Sequence, residues 1–103
     1  MKEEQDQLLK YIGELYHKRR LERREGKDFD ITSPEHDEIV EAGKTIRKIR
    51  EKKGMSIEQL AVLTDLTPSY VAGIEIGEAD PYMTEIYDIT KALGVELSSL
   101  FNK

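Results

Sequence analysis

The residues of this chain that could do chemistry on a partner are concentrated in one short stretch, LTPSYVAGIEIGEADP, residues 66–81. Three of its side chains carry hydroxyl groups: Thr67, Ser69 and Tyr70. Each hydroxyl can donate one hydrogen bond, and the small residues Ala72 and Gly73 would let another surface approach closely. The stretch therefore predicts hydrogen bonding at a close contact, without proton transfer or bond breaking.

Catalytic and metal-binding chemistry have no support in the residue types. The chain has no Cys, which excludes disulfides, thiol catalysis and Cys-ligated zinc. The two histidines, His17 and His36, are too far apart in sequence to show a metal-ligand spacing. Glu75 has no second acid or base spaced to work with it. We therefore expect no enzyme, no catalytic residue, no metal site and no cofactor.

The cations form two clusters on a background of net negative charge. The formal net charge is −5, whereas binding to duplex DNA draws most of its affinity from Lys and Arg. The clusters are KRRLERR, residues 18–24, and RKIREKK, residues 47–53. Candidates for phosphate contacts within them are Arg19, Arg20, Arg23, Arg24, Arg47 and Lys48. The alternative for both clusters is a solvated helix face with oppositely charged pairs four residues apart.

The first 32 residues predict a helical extension and a linker. Apolar residues recur there at helical spacing, at Leu8, Ile12 and Leu15, and Gly26 is a natural helix stop. The helix caps and apolar stripes from residue 33 onward are complete in themselves. We therefore expect a domain of residues 33–103 that folds without residues 1–32.

Four start signals divide this domain into helices. Each is a capping residue followed by Pro, or by Gln in a capping box: Ser33-Pro34, Ser56 with Gln59, Thr67-Pro68 and Asp80-Pro81. A last short helix contains Leu97, Leu100 and Phe101. No strand pattern appears, so the sequence predicts an all-α fold of six helices, five of them in the domain.

From about Gly43 to Phe101 the chain resembles the XRE-type helix-turn-helix family of phage repressors and Cro proteins. The matching residues are GKTIRKIREKKGMSIEQLA, LTDLTPSYVAGIEIG and DPYMTEIYDITKALGVELSSLF. The resemblance implies a five-helix repressor-like domain with an extra N-terminal helix. It also implies a structural ion pair between Arg50 and Glu75, which would join the first helix of the domain to its recognition helix.

In this family the second helix of the pair enters the major groove of DNA. The resemblance places the nucleic-acid contacts at Ser56, Thr67, Pro68, Ser69, Tyr70, Ala72 and Gly73. The chain departs from the family pattern in two ways. Ile57 stands where the family often has Gln, and no Arg, Lys, Asn or Gln occurs between Thr64 and Asp80. Those four residue types make the bidentate contacts that distinguish bases.

Two functions follow from the sequence. The first is a DNA-binding transcriptional regulator that binds double-stranded DNA as a homodimer. The second is a helix-turn-helix scaffold used for protein contact, as in an antirepressor, an antitoxin or an accessory protein of a mobile element, with residues 1–32 binding the partner. For either function we expect a cytoplasmic protein without a membrane segment.

Overall fold

The computed structural model describes residues 2–26 and 32–101, and every regular element within these residues is helical. It contains five α-helices and a final 3₁₀ turn: α1 Lys2–Arg24, α2 Pro34–Lys52, α3 Ile57–Thr64, α4 Pro68–Glu75, α5 Met83–Leu93 and the turn Leu97–Ser99. The prediction of an all-α fold is confirmed. Most of the predicted linker lies outside the described residues.

Three of the four predicted helix starts are present with their hydrogen bonds. The side-chain hydroxyl of Ser33 accepts from the backbone N–H of His36 at 3.1 Å, and that of Thr67 accepts from the backbone N–H of Tyr70 at 3.2 Å. Ser56 and Gln59 form a complete capping box, with reciprocal hydrogen bonds of 2.8 and 3.0 Å. These caps satisfy amide groups at the first turns, where the helix itself offers no acceptor.

The fourth predicted start, Asp80-Pro81, is wrong. Helix α5 begins two residues later, at Met83, after a capping position at Tyr82. The carboxylate of Glu85, three residues after the capping position, accepts the backbone N–H of Tyr82 at 2.8 Å. This is the hydrogen bond that the third helical residue makes in a capping box. Asp80 is not available as a cap because its carboxylate binds two arginines of α1.

One hydrophobic core contains residues of every helix, including α1. Its buried members are Ile12, Leu15, Tyr16, Ile39, Ala42, Ile46, Leu60, Ala61, Val71, Ile74, Ile86, Ile89, Leu93, Leu97, Leu100 and Phe101. The rings of Tyr16 and Phe101 meet edge to face, with centroids 6.3 Å apart. Removing α1 would uncover the faces of α5 and the 3₁₀ turn that it contacts. Folding of residues 33–103 without residues 1–32 stays a prediction.

Helices α2 and α4 pack with their backbones almost in contact at Gly43. A Cβ atom at this position would lie 2.5 Å from the carbonyl oxygens of both Ile74 and Glu75. Any larger residue would therefore push α4 away from α2, and the glycine fixes the depth at which α4 sits. None of the described helices is long and apolar enough to cross a membrane.

Candidate nucleic-acid interface

Arg50 of α2 holds the end of α4 through a buried ion pair with Glu75, as the family resemblance implies. The guanidinium donates to the two carboxylate oxygens at 2.7 and 3.1 Å. A third hydrogen bond, of 2.8 Å, goes to the carbonyl of Met55 at the turn between α2 and α3. Hydrogen bonding to Glu75 raises the pKa of Arg50 above its ordinary value. One side chain therefore ties α2 both to α4 and to the turn that leads into α3.

The turn between α3 and α4 is tight because one residue adopts a left-handed conformation. Asp65 has φ 58° and ψ 38°, a region that Asp tolerates better than most residues. The backbone N–H of Leu66 then donates to the carbonyl of Ala61 at 3.0 Å. The chain reverses within three residues and enters α4 at the Thr67 cap, which gives the helix-turn-helix arrangement.

The start of α4 projects into solvent while its opposite face is buried. Pro68 and Ser69 are exposed, whereas Val71 and Ile74 are at most 1% exposed. The hydroxyl of Ser69 lies 3.4 Å from that of Thr67, which also serves as the helix cap. The first turn of α4 therefore presents two hydroxyl groups and a proline ring on an anchored helix.

The later candidate contacts on α4 are more enclosed. Ala72 and Gly73 are half-buried. The carbonyl of Gly73 accepts the backbone N–H groups of Glu78 and Ala79 at 2.9 and 3.1 Å. A Cβ atom at Gly73 would lie 3.2 Å from the Cβ of Ala79, so the loop that follows α4 folds back onto this glycine.

Tyr70 serves as a link between α4 and α5. Its side chain is half-buried, and its hydroxyl donates to the Glu85 carboxylate at 2.7 Å. Burial, and then the hydrogen bond to Glu85, raise the pKa of Tyr70 well above its ordinary value. The Tyr70 proton is therefore used inside the molecule, and only the acceptor capacity of the oxygen is left for a base or a phosphate.

Three of the six predicted phosphate-binding cations are used within the fold. Arg19, Arg20 and Arg23, which we call the arginine clamp, donate to five successive carbonyl oxygens in the loop after α4: Gly77 and Ala79 from Arg19, Glu78 from Arg23, and Asp80 and Pro81 from Arg20. The Asp80 carboxylate also accepts from Arg19 and Arg23, at 2.7 Å each. These guanidinium groups therefore already bind acceptors of the same molecule, and their contact with phosphate stays a prediction.

The other three predicted cations are exposed. Arg47 lies 3.4 Å from Glu51, one turn further along α2, which is the solvated pairing that the sequence left open as the alternative. Lys48 on α2 and Arg24 on the last turn of α1 are also exposed. Ser56 is half-buried, and its hydroxyl accepts a hydrogen bond from the backbone N–H of Gln59.

Sequence reasoning missed the acceptors of the arginine clamp, although a signal was present. Ile12, Tyr16, Arg19 and Arg23 follow one another at intervals of four, three and four residues, so they lie on one face of α1. The apolar stripe of α1 thus continues into two of the arginines. Cations in line with a buried face are expected to bind acceptors of the same molecule, whereas cations of a solvated face are not.

Across residues 2–26 and 32–101, no group of three or more His, Asp or Glu side chains is arranged to hold a metal ion.

Comparisons with known proteins identify the family. The helix-turn-helix family model matches residues 46–100. The chain is 39% identical over 61 residues to the HTH-type transcriptional regulator SlrR of Bacillus subtilis, covering 58% of this chain and 40% of that protein. It is also 39% identical over 61 residues to the control protein C.BamHI of Bacillus amyloliquefaciens, covering 58% of this chain and 75% of that protein.

A solved structure shares the architecture of part of this chain. The restriction-modification controller protein C.AhdI from Aeromonas hydrophila superposes with a TM-score of 0.61 and 37% sequence identity, covering 63% of this chain and 98% of that one. The match with the family model spans α3, α4 and α5 together with the end of α2, and excludes α1. The chain therefore belongs to the XRE-type helix-turn-helix family that its sequence resembles.

Proposed function

We propose that this protein is a DNA-binding transcriptional regulator that places the start of α4 in the major groove. The observation that carries the proposal is the exposure of Pro68 and Ser69 on a helix whose other face is buried and whose end is held by Arg50. A recognition helix needs this combination, since its first residues must reach base edges while its axis stays fixed.

The chemistry at the start of α4 allows only modest direct reading of bases. The hydroxyl of Ser69 can donate one hydrogen bond to a base or a phosphate, and Pro68 can contact a thymine methyl group. Tyr70 offers an acceptor, because its proton is bound to Glu85. We therefore propose that DNA shape and water-mediated contacts supply much of the specificity.

Phosphate contacts would come from the exposed cations and from caps near α4. Arg47 and Lys48 lie on α2, the helix that packs directly against α4 at Gly43. Arg24 lies at the end of α1, and Ser56 and Thr67 are the capping residues of α3 and α4. Each cation that contacts phosphate releases counterions from the duplex, which makes binding weaken as salt rises.

We further propose that the protein acts as a homodimer in the cytoplasm. Two copies related by a twofold axis would place their α4 helices in successive major grooves, about 34 Å apart. The arrangement would make the preferred site a palindrome, and it would double the small number of base contacts that one α4 offers.

The test is selection of a duplex from a randomised pool by the intact chain, followed by fluorescence polarisation with that duplex. We expect selected sites with twofold symmetry and a dissociation constant that rises steeply between 50 and 200 mM salt, by about tenfold or more if several phosphates are contacted. An absence of binding at micromolar protein and 50 mM salt, or affinity equal for selected and scrambled duplexes, would overturn the proposal.

One observation favours a second function, contact with a protein. The segment between Thr64 and Asp80 lacks Arg, Lys, Asn and Gln, and Ile76 at the end of α4 is 55% exposed. A smooth apolar surface suits a protein interface better than a DNA groove. Under this alternative the selection yields no preferred duplex. The wild-type chain then captures a partner protein that the Ile76→Glu variant does not capture.

A further inference from the structure

The arginine clamp joins two parts of the chain that differ in their relation to the family. The three arginines lie on α1, outside residues 46–100, whereas the carbonyl groups and the carboxylate that they bind lie inside that range. The arginine clamp lies outside the residues that the family model matches. It therefore holds a loop of the family domain from outside, at every residue from Gly77 to Pro81.

This loop is in direct contact with the helix proposed to read DNA. Glu78 and Ala79 donate their backbone N–H groups to the carbonyl of Gly73 on α4, and the Ala79 methyl group packs against that glycine. The carbonyl groups of the same two residues accept from Arg23 and Arg19. Two loop residues thus bridge α4 on one side and α1 on the other.

The clamp also changes the charge that the loop presents. Asp80 follows α4 closely, and a free carboxylate there would repel phosphate groups. Its side chain is only 6% exposed and lies between two guanidinium groups at 2.7 Å. Arg20 also lies over the ring of Tyr82, 4.2 Å from its centroid. Three cations therefore offset the carboxylate and the five carbonyl oxygens of this loop.

We infer that the arginine clamp positions the recognition helix: α1 sets the orientation of α4 through the loop of residues 77–81, and so sets DNA affinity without touching DNA. The inference rests on the proposed DNA binding for its functional consequence. Arg23 is the residue of choice for a test because its side chain is 49% exposed, so that its loss is compatible with folding.

The matched pair of variants is Arg23→Gln and Arg24→Gln. Both remove one positive charge from the last turn of α1, and only the first removes bonds to Asp80 and to the carbonyl of Glu78. Asp80→Asn is the second clamp variant, since it keeps the shape of the side chain and removes its charge. Thermal unfolding of each variant establishes that it is folded.

The first measurement is hydrogen exchange on the free protein, over residues 73–82. We expect Arg23→Gln and Asp80→Asn to speed exchange in this segment by about tenfold, because amide opening there breaks fewer contacts of the clamp. Arg24→Gln should exchange like the wild type. Unchanged exchange in both clamp variants would overturn the inference, whatever happens to DNA binding.

The second measurement is affinity for the duplex selected by the wild-type chain, across a range of salt. We expect Arg23→Gln to bind about fivefold more weakly with an unchanged salt slope. The double variant with Asp80→Asn should lose less affinity than the two single losses combined, because both substitutions remove the Arg23–Asp80 pair. A salt slope reduced by about one in Arg23→Gln would identify a direct phosphate contact and would overturn the inference.

The two measurements separate this inference from the proposed function. Faster exchange in the clamp variants, together with a wild type that binds no duplex, would overturn the DNA-binding proposal and support the clamp as the element that positions α4. Duplex binding by the wild type with unchanged exchange in the variants would support the proposed function and overturn the inference.

Discussion

The ion pair between Arg50 and Glu75 is the contact on which the position of α4 most depends at the scale of single residues. Both side chains are less than 10% exposed and share two hydrogen bonds. The pair joins α2 to the last residue of α4, while Gly43 sets the distance between the same two helices. A buried pair of this kind is worth little relative to a hydrophobic contact, yet removing one partner leaves the other charge uncompensated.

We therefore expect Glu75→Gln to lower the free energy of unfolding by about 3 kcal/mol. Glu51→Gln is the matched control, because it makes the same change in an exposed pair with Arg47 on the surface of α2 and should cost less than about 1 kcal/mol. Urea unfolding followed by circular dichroism measures both. Equal losses in the two variants would show that the Arg50–Glu75 pair contributes no more to stability than a surface ion pair.

At the scale of helices, α1 is an integral part of the fold. It contributes Ile12, Leu15 and Tyr16 to the common core and contacts α5 and the 3₁₀ turn. The next residues on the same face are clamp arginines, so the apolar half of α1 holds α5 and the basic half holds the loop before α5. One helix outside the family domain thus contacts the domain at α5, at the 3₁₀ turn and at the loop after α4.

The substitution Ile12→Ala tests this role of α1. Ile12 is fully buried, and removing its larger side chain should lower the free energy of unfolding by about 3 kcal/mol. Leu21→Ala is the control on the same helix, since Leu21 is 39% exposed and should lose less than about 1 kcal/mol. Thermal unfolding reports both values. A negligible effect of Ile12→Ala would mean that α1 is dispensable for the domain.

Helix starts were predictable from sequence where capping was local. Ser33, Ser56 and Thr67 each bind an amide three residues further on, so the information lies within one turn of the chain. Asp80 had the same local signature, but its carboxylate meets arginines that are 57 and 61 residues away. The Asp80 carboxylate forms a tertiary ion pair instead of a helix cap. The local pattern of a single sequence does not indicate a contact between residues so far apart.

The candidate site shows the same division between local and tertiary information. Exposure of Pro68 and Ser69 follows from the Thr67 cap and the apolar spacing of α4. The use of Tyr70 as a donor to Glu85, and of three arginines as a clamp, depends on how α4, α5 and α1 come together. Sequence therefore predicted the exposed first turn of α4 correctly, but not the acceptors within the molecule that Tyr70 and the three arginines bind.

For the molecule as a whole, burial of tyrosine hydroxyl groups makes stability depend on pH at the alkaline end. Burial raises the pKa of Tyr16 and of Tyr70 well above the ordinary value, and burial with a hydrogen bond to Glu38 raises that of Tyr11 to about 12. The folded chain therefore keeps protons that an unfolded chain releases above about pH 10.

Because the unfolded state then binds fewer protons than the folded state, stability must fall as pH rises above about 10. The contribution of these tyrosines is fully present below that pH. For Tyr16, the most buried of the three, the expected loss is about 1.4 kcal/mol per pH unit until its folded pKa is reached. Absorbance at 295 nm should accordingly show these hydroxyl groups ionising together with unfolding.

The substitution Tyr16→Phe isolates the contribution of this residue. The Tyr16 hydroxyl is buried and has no hydrogen-bond partner among residues 2–26 and 32–101, so its removal should leave stability at pH 7 unchanged or raise it by about 1 kcal/mol. The edge-to-face contact with Phe101 is retained. Above pH 10 the Tyr16→Phe variant should lose stability less steeply than the wild type. The control variant Tyr82→Phe should follow the wild type, because Tyr82 is 57% exposed. Urea unfolding at pH 7, 10 and 11 measures both slopes, and a Tyr16→Phe curve parallel to the wild type would place the alkaline sensitivity elsewhere in the molecule.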